Sequence, residues 1–177
     1  DICLQNLHVV FAVDRAGLVG ADGETHHGMF DLSYLNMIPN MKILCPADGN
    51  QLEEMLEYAV HQYDGPIAIR YPRGSSQGNH LRLKPFTGEN TVLSVGKDVT
   101  ILAVGAMLDT GIEAARLLRK HGFDAGVTAI NVVKPMDAAA VNSETKLVVT
   151  LEDNTIIGGF SDEFDRVNRE KAFGILN

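Results

Sequence analysis

Short apolar runs alternate with polar, glycine-rich segments through the first half of the chain. Residues 7–13 (LHVVFAV), 41–45 (MKILC) and 66–71 (PIAIRY) are apolar and rich in β-branched side chains. Such continuous runs are typical of strands buried on both faces of a parallel sheet. Before the third run, Asp48 is a suitable N-cap, and apolar residues recur at helical spacing to about Gln62. The pattern predicts a β–loop–β–α–β unit.

A second unit of the same kind follows. Three strands are predicted in it, at residues 99–104, 126–132 and 146–151. An amphipathic helix is predicted at residues 108–120, between the first and second of these strands. Residues 137–144 leave a connection that is short for a parallel crossover, which usually takes a dozen residues or more. The tail after Phe160 lacks a convincing final strand.

We therefore predict an α/β fold made of two small, open, mainly parallel-sheet units. The first unit is expected at residues 1–80 and the second at residues 97–177. Residues 81–96 between them are predicted to be a linker, because the surrounding stretch is polar and rich in Gly, Pro and Ser.

Composition narrows the classes of partner. The formal net charge of -8 over 177 residues disfavours nucleic acid and anionic lipid as partners. We expect no membrane segment, because no apolar run approaches the ~20 residues needed to cross a bilayer. The two cysteines, Cys3 and Cys45, lack the spacing of metal ligands, so we expect reduced, buried thiols in a cytoplasmic protein and no metal site.

The glycine-rich segment at residues 14–28 carries the candidate chemistry. It follows a predicted strand, at the sheet edge where open α/β folds place ligands. Asp22 and His26 lie four residues apart in it, and a carboxylate beside an imidazole suits proton transfer near neutral pH. The same spacing also occurs in ordinary loops, so a structural role stays open.

Two arginines follow two of the predicted strands. Arg15 ends the first strand and Arg73 ends the third, and parallel strands end at the same sheet edge. Their guanidinium groups could therefore converge on one phosphate, whose oxygens match paired N–H donors. The alternative is two surface arginines in minor salt bridges.

These segments together resemble a known family. Residues 14–28 (DRAGLVGADGETHHG), continuing into 29–35 (MFDLSYL), resemble the signature stretch of the 1-deoxy-D-xylulose-5-phosphate synthases. Residues 71–74 (YPRG), 149–154 (VTLEDN) and 157–160 (IGGF) fit the same family, so the resemblance covers nearly the whole chain. These enzymes are transketolase-like and depend on thiamine diphosphate.

The resemblance implies a transferase that joins pyruvate to glyceraldehyde 3-phosphate with loss of carbon dioxide, for isoprenoid, thiamine and pyridoxal biosynthesis. Asp22 and His26 match the family's acid/base and substrate-contact positions. Arg15 and Arg73 match the positions that bind the phosphate of glyceraldehyde 3-phosphate. His27 stays open between a site residue and a loop histidine that faces solvent. A cytoplasmic homodimer is expected.

The cofactors that the resemblance implies are thiamine diphosphate and Mg²⁺. The family's GDG…N segment and its activating glutamate are not among these residues. Cofactor-binding residues are therefore expected upstream of residue 1, and the chain is expected to be the C-terminal portion of such an enzyme. By itself it should not turn over substrate.

Two other functions stay open. The first is another transketolase-like enzyme that acts on sugar phosphates, although the FDLSYL and YPRG segments argue against it. The second is a non-catalytic module that binds a phosphorylated metabolite or serves as an assembly surface.

Overall fold

The computed structural model describes residues 1–75, 81, 83–137, 144–169 and 174–176. Its elements in chain order are β1 (Val10–Val13), α1 (Asp31–Asn36), β2 (Lys42–Leu44), α2 (Gly49–His61), β3 (Ile67–Arg70), β4 (Thr91–Ser94), β5 (Val99–Val104), α3 (Leu108–Lys120), β6 (Ala125–Ile130), β7 (Val132–Lys134), β8 (Leu147–Leu151), α4 (Phe160–Asn168) and β9 (Gly174–Leu176). The strands form two open, mostly parallel sheets, which confirms the predicted α/β class. Within these ranges, no helix combines the length and apolar character needed to cross a membrane.

The first sheet has the strand order β1-β3-β2-β7. β3 lies between β1 and β2 and runs parallel to both, and all four of its residues are buried. α2 packs beside β3 and begins as predicted, because the Asp48 side chain accepts a hydrogen bond from the Gln51 backbone N–H at 2.9 Å. The carboxyl ends of β1 and β3 therefore lie side by side, and the residues that follow them are neighbours.

The second sheet has the strand order β4-β6-β5-β8-β9. β5 lies between β6 and β8, runs parallel to both, and is buried throughout, as is β6. α3 buries Leu108, Gly111 and Ala115 and contacts β5 and β6. These strands and this helix agree with the elements predicted from the apolar periodicity.

The strand predicted at residues 126–132 is wrong in one respect, because the chain forms two strands there. β6 ends at Ile130, and β7 then pairs antiparallel with β2 in the first sheet. Asn131 between them has no exposed surface; its side chain donates to Gln51 Oε1 at 2.7 Å, and its carbonyl accepts the Cys45 N–H at 2.9 Å. A buried amide needs such partners, and the first unit supplies them.

The passage of the chain from the second sheet into the first, between β6 and β7, explains the short connection at residues 137–144. β7 and β8 belong to different sheets, so the segment between them is not a crossover within one sheet. Residues 138–143 of that connection lie outside the described residues. A final strand does follow Phe160, although the sequence of the tail gave no convincing signal for it, and this strand, β9, pairs parallel with β8. β9 is three residues long and includes Gly174, so its sequence signal is weak.

β4 lies inside the stretch predicted to be a linker, residues 81–96. It pairs antiparallel with β6 at the edge of the second sheet and leaves Val92 and Leu93 partly exposed. The last part of that stretch is therefore an edge strand. The division of the chain into residues 1–80 and 97–177 stays a prediction.

One apolar core joins the two sheets. Side chains from α1, β2 and β3 pack there with side chains from β5, β6 and α4, including Leu32, Ile43, Ala68, Leu102, Ile130, Phe160 and Phe164. Cys3 and Cys45 belong to the same core as free, buried thiols, as predicted. Burial raises the pKa of Cys45 to about 12, so this thiol is neutral and has a packing role.

Candidate functional site

The loop that follows β1, residues 14–28, is closed at its base by two glycines. The Gly17 N–H donates to the Gly28 carbonyl at 3.0 Å, and the Gly28 N–H donates to the Gly17 carbonyl at 2.9 Å. A Cβ on Gly28 would lie 2.2 Å from the Arg15 carbonyl oxygen. A Cβ on Gly17, where φ is +73°, would lie 2.5 Å from an Asp153 carboxylate oxygen. Both positions therefore require glycine, and they fix the loop at the carboxyl edge of the first sheet.

Arg15 and Arg73 meet at the carboxylate of Asp22. The Arg15 Nε donates to Asp22 Oδ2 at 2.8 Å, and Arg73 forms an ion pair with Asp22 Oδ1. Arg15 has a φ of +59°, a conformation that costs a non-glycine residue about 1–3 kcal/mol. The Arg15 and Arg73 side chains remain 40% and 50% exposed. The structure thus brings both predicted phosphate-binding residues to one carboxylate, and both arginines remain accessible to solvent.

Asp22 and His26 do not form the pair that their spacing suggested. They end consecutive 3-10 turns, Gly20–Asp22 and Glu24–His26. The Asp22 carboxylate is bound by the two arginines, while His26 Nδ1 lies 2.9 Å from the Thr25 hydroxyl. A hydroxyl can donate or accept, so both neutral tautomers of His26 fit this contact. The catalytic role of the two residues stays a prediction.

A cavity of about 260 Å³ opens beside this loop. It is lined by residues of β1, the loop and α1, which are Val13, Asp14, Arg15, Thr25, His26, His27, Gly28, Phe30, Asp31 and Tyr34. Burial, followed by the charge of Asp31, raises the pKa of Tyr34, so its phenol stays protonated at neutral pH. The wall therefore combines a guanidinium, two imidazoles and a phenol with the carboxylates of Asp14 and Asp31, which suits a small, polar ligand.

A larger cavity of about 620 Å³ lies on the other side of the arginine pair. Its wall includes Arg73 and Tyr71 after β3, Asp48 at the start of α2, and Ala106 of the second unit. Asp14 lines both cavities. The convergence of Arg15 and Arg73 therefore lies where the two cavities meet.

Arg70, the last residue of β3, is the residue that the sequence analysis missed. Its side chain is 3% exposed and donates from Nε to Asp31 at 2.9 Å, and a second guanidinium nitrogen pairs with Asp153. The third nitrogen donates to the carbonyls of Gly28, at 2.9 Å, and Asp153, at 3.1 Å. Arg70 thus joins the loop after β1, the start of α1 and the segment after β8. A charged residue inside a strand predicted to be buried on both faces was the available signal, because such a charge must be paired.

Glu152, directly after β8, holds the start of α4. Its carboxylate accepts hydrogen bonds from the Phe160 N–H at 2.9 Å, the Ser161 N–H at 3.0 Å and the Ser161 hydroxyl. Burial raises the pKa of Glu152 against the opposing effect of these hydrogen bonds. The acidic residues after β8 are therefore used within the fold, and neither lines the two cavities.

Two related protein families match this two-sheet chain. The family described as "Transketolase, pyrimidine binding domain" matches residues 1–78. The family described as "Transketolase, C-terminal domain" matches residues 88–177, which is half of the chain. This chain belongs to the transketolase family. The site described above lies in the pyrimidine-binding part, and the C-terminal part supplies Asp153 and Glu152 behind it.

Curated relatives of this transketolase-family chain are named 1-deoxy-D-xylulose-5-phosphate synthase. The protein from Chlorobaculum tepidum is 49% identical over 167 residues, which cover 90% of this chain and 26% of the relative. The protein from Halothermothrix orenii is 46% identical over 183 residues, which cover 99% of this chain and 28% of the relative. The resemblance inferred from residues 14–28 is thereby confirmed. The chain spans about a quarter of the length of these relatives.

Solved structures agree with this assignment. A protein described as "Split gene transketolase, inactive beta4 tetramer" is 33% identical, with a TM-score of 0.85 over 99% of this chain and 58% of that chain. A transketolase variant from Pichia stipitis is 17% identical, with a TM-score of 0.66 over 93% of this chain and 28% of that chain. The second likeness shows the fold alone.

Proposed function

We propose that this chain forms the acceptor side of a 1-deoxy-D-xylulose-5-phosphate synthase. In this role it binds glyceraldehyde 3-phosphate and handles a proton while that aldehyde condenses with a unit derived from pyruvate, with loss of carbon dioxide. The support is the identity of 44% to 49% with relatives of that name, together with the arginine pair where the two cavities meet.

The observation that carries the proposal is the meeting of Arg15 and Arg73 at the Asp22 carboxylate. Phosphate and carboxylate oxygens accept the same charge-assisted hydrogen bonds from guanidinium groups. Because both arginines are about half exposed, a phosphate can reach the position that Asp22 occupies. The three-carbon body of the ligand would then lie in the smaller cavity beside His26.

We assign to Asp22 and His26 the proton transfer that accompanies the condensation. Condensation turns the aldehyde oxygen into a hydroxyl group, so that oxygen must gain a proton. The Thr25 hydroxyl beside His26 accommodates either tautomer, which suits a residue that gains and loses a proton. Asp22 is released from the arginines when phosphate binds, and its carboxylate then becomes available to the ligand.

Thiamine diphosphate supplies the carbanion chemistry when it is bound. Within the described residues, no group of three or more His, Cys, Asp or Glu side chains could hold a metal ion. Those side chains do not fit a Mg²⁺ site, so we assign neither Mg²⁺ nor the diphosphate to them. The role of this chain is to bind and orient the acceptor and to manage its proton.

We expect the 177 residues alone to self-associate, at least as a homodimer, and not to turn over substrate. The similar split-gene transketolase is described as an inactive tetramer, which supports both expectations. Sedimentation velocity gives the assembly state, and a sedimenting monomer would contradict the first expectation. Detectable 1-deoxy-D-xylulose 5-phosphate from the purified chain with pyruvate, glyceraldehyde 3-phosphate, Mg²⁺ and thiamine diphosphate would contradict the second.

Calorimetric titration with glyceraldehyde 3-phosphate tests the binding site. Arg15→Ala and Arg73→Ala should each weaken binding about ten- to a hundredfold, since each removes hydrogen bonds to a charged group. Arg116→Ala is the matched control, because Arg116 is an exposed arginine whose ion-pair partner among the described residues is Glu113 on α3. Unchanged affinity in both site variants would reject the phosphate site and favour an assembly module.

A donor test separates the proposal from a general transketolase. In an assembled enzyme that contains this chain, pyruvate should serve as the donor substrate and xylulose 5-phosphate should not. The opposite preference would assign the chain to a transketolase that acts on sugar phosphates.

A further inference from the structure

His27 differs from its neighbour His26 in what its ring nitrogen contacts. The Val19 backbone N–H donates to His27 Nδ1 at 2.8 Å. A backbone N–H can only donate, so Nδ1 must be the unprotonated, accepting nitrogen. A neutral imidazole carries one ring proton, which therefore lies on Nε2. The hydroxyl contact of His26 imposes no such choice.

The remaining Nε2–H of His27 is a donor without a hydrogen-bond partner among the described residues. His27 is half-buried and lines the smaller cavity together with Arg15, His26 and Tyr34. Proton transfer through His27 is disfavoured, because a proton on Nδ1 would break the bond to Val19. The ring is thus held in one tautomer with a single donor left for a ligand.

We propose that His27 is a specificity-determining residue whose Nε2–H donates to the aldehyde-end oxygen of the phosphorylated acceptor. This inference rests on the proposed function, because that function supplies the ligand. The roles in the site are then divided: Arg15 and Arg73 hold the phosphate, His26 exchanges a proton, and His27 donates a hydrogen bond to the carbonyl oxygen. A ligand that lacks this oxygen makes no use of His27.

A comparison of two ligands distinguishes recognition of the ligand by His27 from a role of His27 in supporting the loop. Glyceraldehyde 3-phosphate has the aldehyde-end oxygen, and inorganic phosphate does not. His27→Phe should weaken glyceraldehyde 3-phosphate about five- to tenfold and change inorganic phosphate less than twofold. His27→Gln keeps an N–H donor and an acceptor for Val19, so it should restore most of the lost affinity. Arg15→Ala should weaken both ligands alike.

The other outcomes overturn the inference in distinguishable ways. Equal losses for both ligands in His27→Phe would mean that His27 only supports the loop, and no loss would mean that it does not touch the ligand. Failure of the wild-type chain to bind either ligand, or unchanged binding in Arg15→Ala, would reject the proposed function and with it the ligand assigned to His27.

A measurement without ligand tests the hydrogen bond itself. The ¹⁵N chemical shifts of the neutral His27 ring should show an Nε2-protonated tautomer, whereas His26 should show a mixture or a different tautomer. An Nδ1-protonated His27 ring, or a mixture of tautomers, would overturn the inference regardless of any titration.

Discussion

Two clusters of arginine and aspartate occur at the carboxyl edge of the first sheet, and they differ in exposure. We name them the loop cluster, which is Arg15, Asp22 and Arg73, and the joint cluster, which is Arg70, Asp31 and Asp153. Side chains of the loop cluster are 40%, 16% and 50% exposed, while those of the joint cluster are 3%, 4% and 23% exposed. Arg70 and Arg73 belong to the same segment after β3, yet one is buried between the two units and the other borders a cavity.

Both clusters consist of arginine and aspartate, so their different exposure, rather than their residue types, must account for any difference in what they do. Exposed ion pairs contribute about 0–1 kcal/mol, so breaking the ion pairs that Arg15 and Arg73 form in the loop cluster should cost little free energy. A buried pair is different, because removal of one partner leaves an uncompensated charge in the interior. The joint cluster therefore holds the loop in place, whereas the loop cluster is the one that we propose binds phosphate.

The largest expected effect comes from the joint cluster. Arg70→Met leaves the buried Asp31 carboxylate unpaired and removes the donor to the Gly28 carbonyl. We expect the free energy of unfolding to fall by about 3–5 kcal/mol, measured by urea denaturation. Arg73→Met is the matched control and should change stability by less than about 1 kcal/mol. Similar losses in the two variants would remove the distinction between the clusters.

The base of the loop gives the next effect. Gly28→Ala places a Cβ 2.2 Å from the Arg15 carbonyl oxygen, so the Gly17–Gly28 hydrogen bonds must shift. We expect a loss of about 1–3 kcal/mol in stability and weaker phosphate binding. Gly20→Ala, in the same loop, should be tolerated, because a Cβ there meets nothing within 4 Å. A tolerated Gly28→Ala would show that the base of the loop is not fixed.

Asp22→Asn, in the loop cluster, is expected to strengthen binding instead of weakening the protein. The change removes the negative charge that now occupies the arginine pair, so inorganic phosphate should bind more tightly, by up to about tenfold. Stability should change by less than about 1 kcal/mol. Asp14→Asn is the control, because Asp14 is 59% exposed and, among the described residues, pairs with Arg15 but not with Arg73, so its gain should be smaller. Weaker phosphate binding in Asp22→Asn would show that the carboxylate assists the anion instead of competing with it.

The smallest effect is a pH dependence behind the joint cluster. Burial raises the pKa of Glu152, so its carboxyl group binds a proton more tightly in the folded protein than in the unfolded chain. The protonated Glu152 side chain therefore adds to the free energy of unfolding. This contribution is fully present below the ordinary pKa of 4.5 and is lost as pH rises through the raised pKa. The stability of the wild type relative to Glu152→Gln should therefore fall between pH 4.5 and neutral pH in urea titrations.

Glu113 provides the comparison for this pH dependence. A hydrogen bond from Arg116 lowers the pKa of Glu113, so its contribution should be lost only as pH falls below 4.5. Glu113→Gln should accordingly show no change relative to the wild type between pH 4.5 and neutral pH. A matching slope in the two variants would exclude burial as the cause of the Glu152 effect.

Sequence patterns predicted the elements whose apolar residues recur regularly along the chain. β5, α3 and the Asp48 cap were visible because each follows from local periodicity or a local side chain. The switch at Asn131 was not visible, because a single buried amide between two apolar runs looks like an interruption of one strand. Its meaning depends on Gln51, which lies far away in the sequence.

The candidate site was predicted in a similar way. The convergence of Arg15 and Arg73 follows from the rule that parallel strands end at one sheet edge, and the structure brings them together. The partner of Asp22 was misjudged, because sequence spacing favoured His26 while the arginine pair exerts the stronger attraction. Arg70 was missed because its partners, Asp31 and Asp153, come from opposite ends of the chain.

The entry of β7 into the first sheet has a consequence for synthesis on the ribosome. β2 emerges long before Val132–Lys134, and at ordinary translation rates the delay between them is roughly 5 to 18 seconds. During that interval the backbone donors and acceptors on one side of β2 have no strand to pair with. An unpaired strand edge can pair with another chain, so we expect the nascent chain to be prone to aggregation until the second unit has emerged.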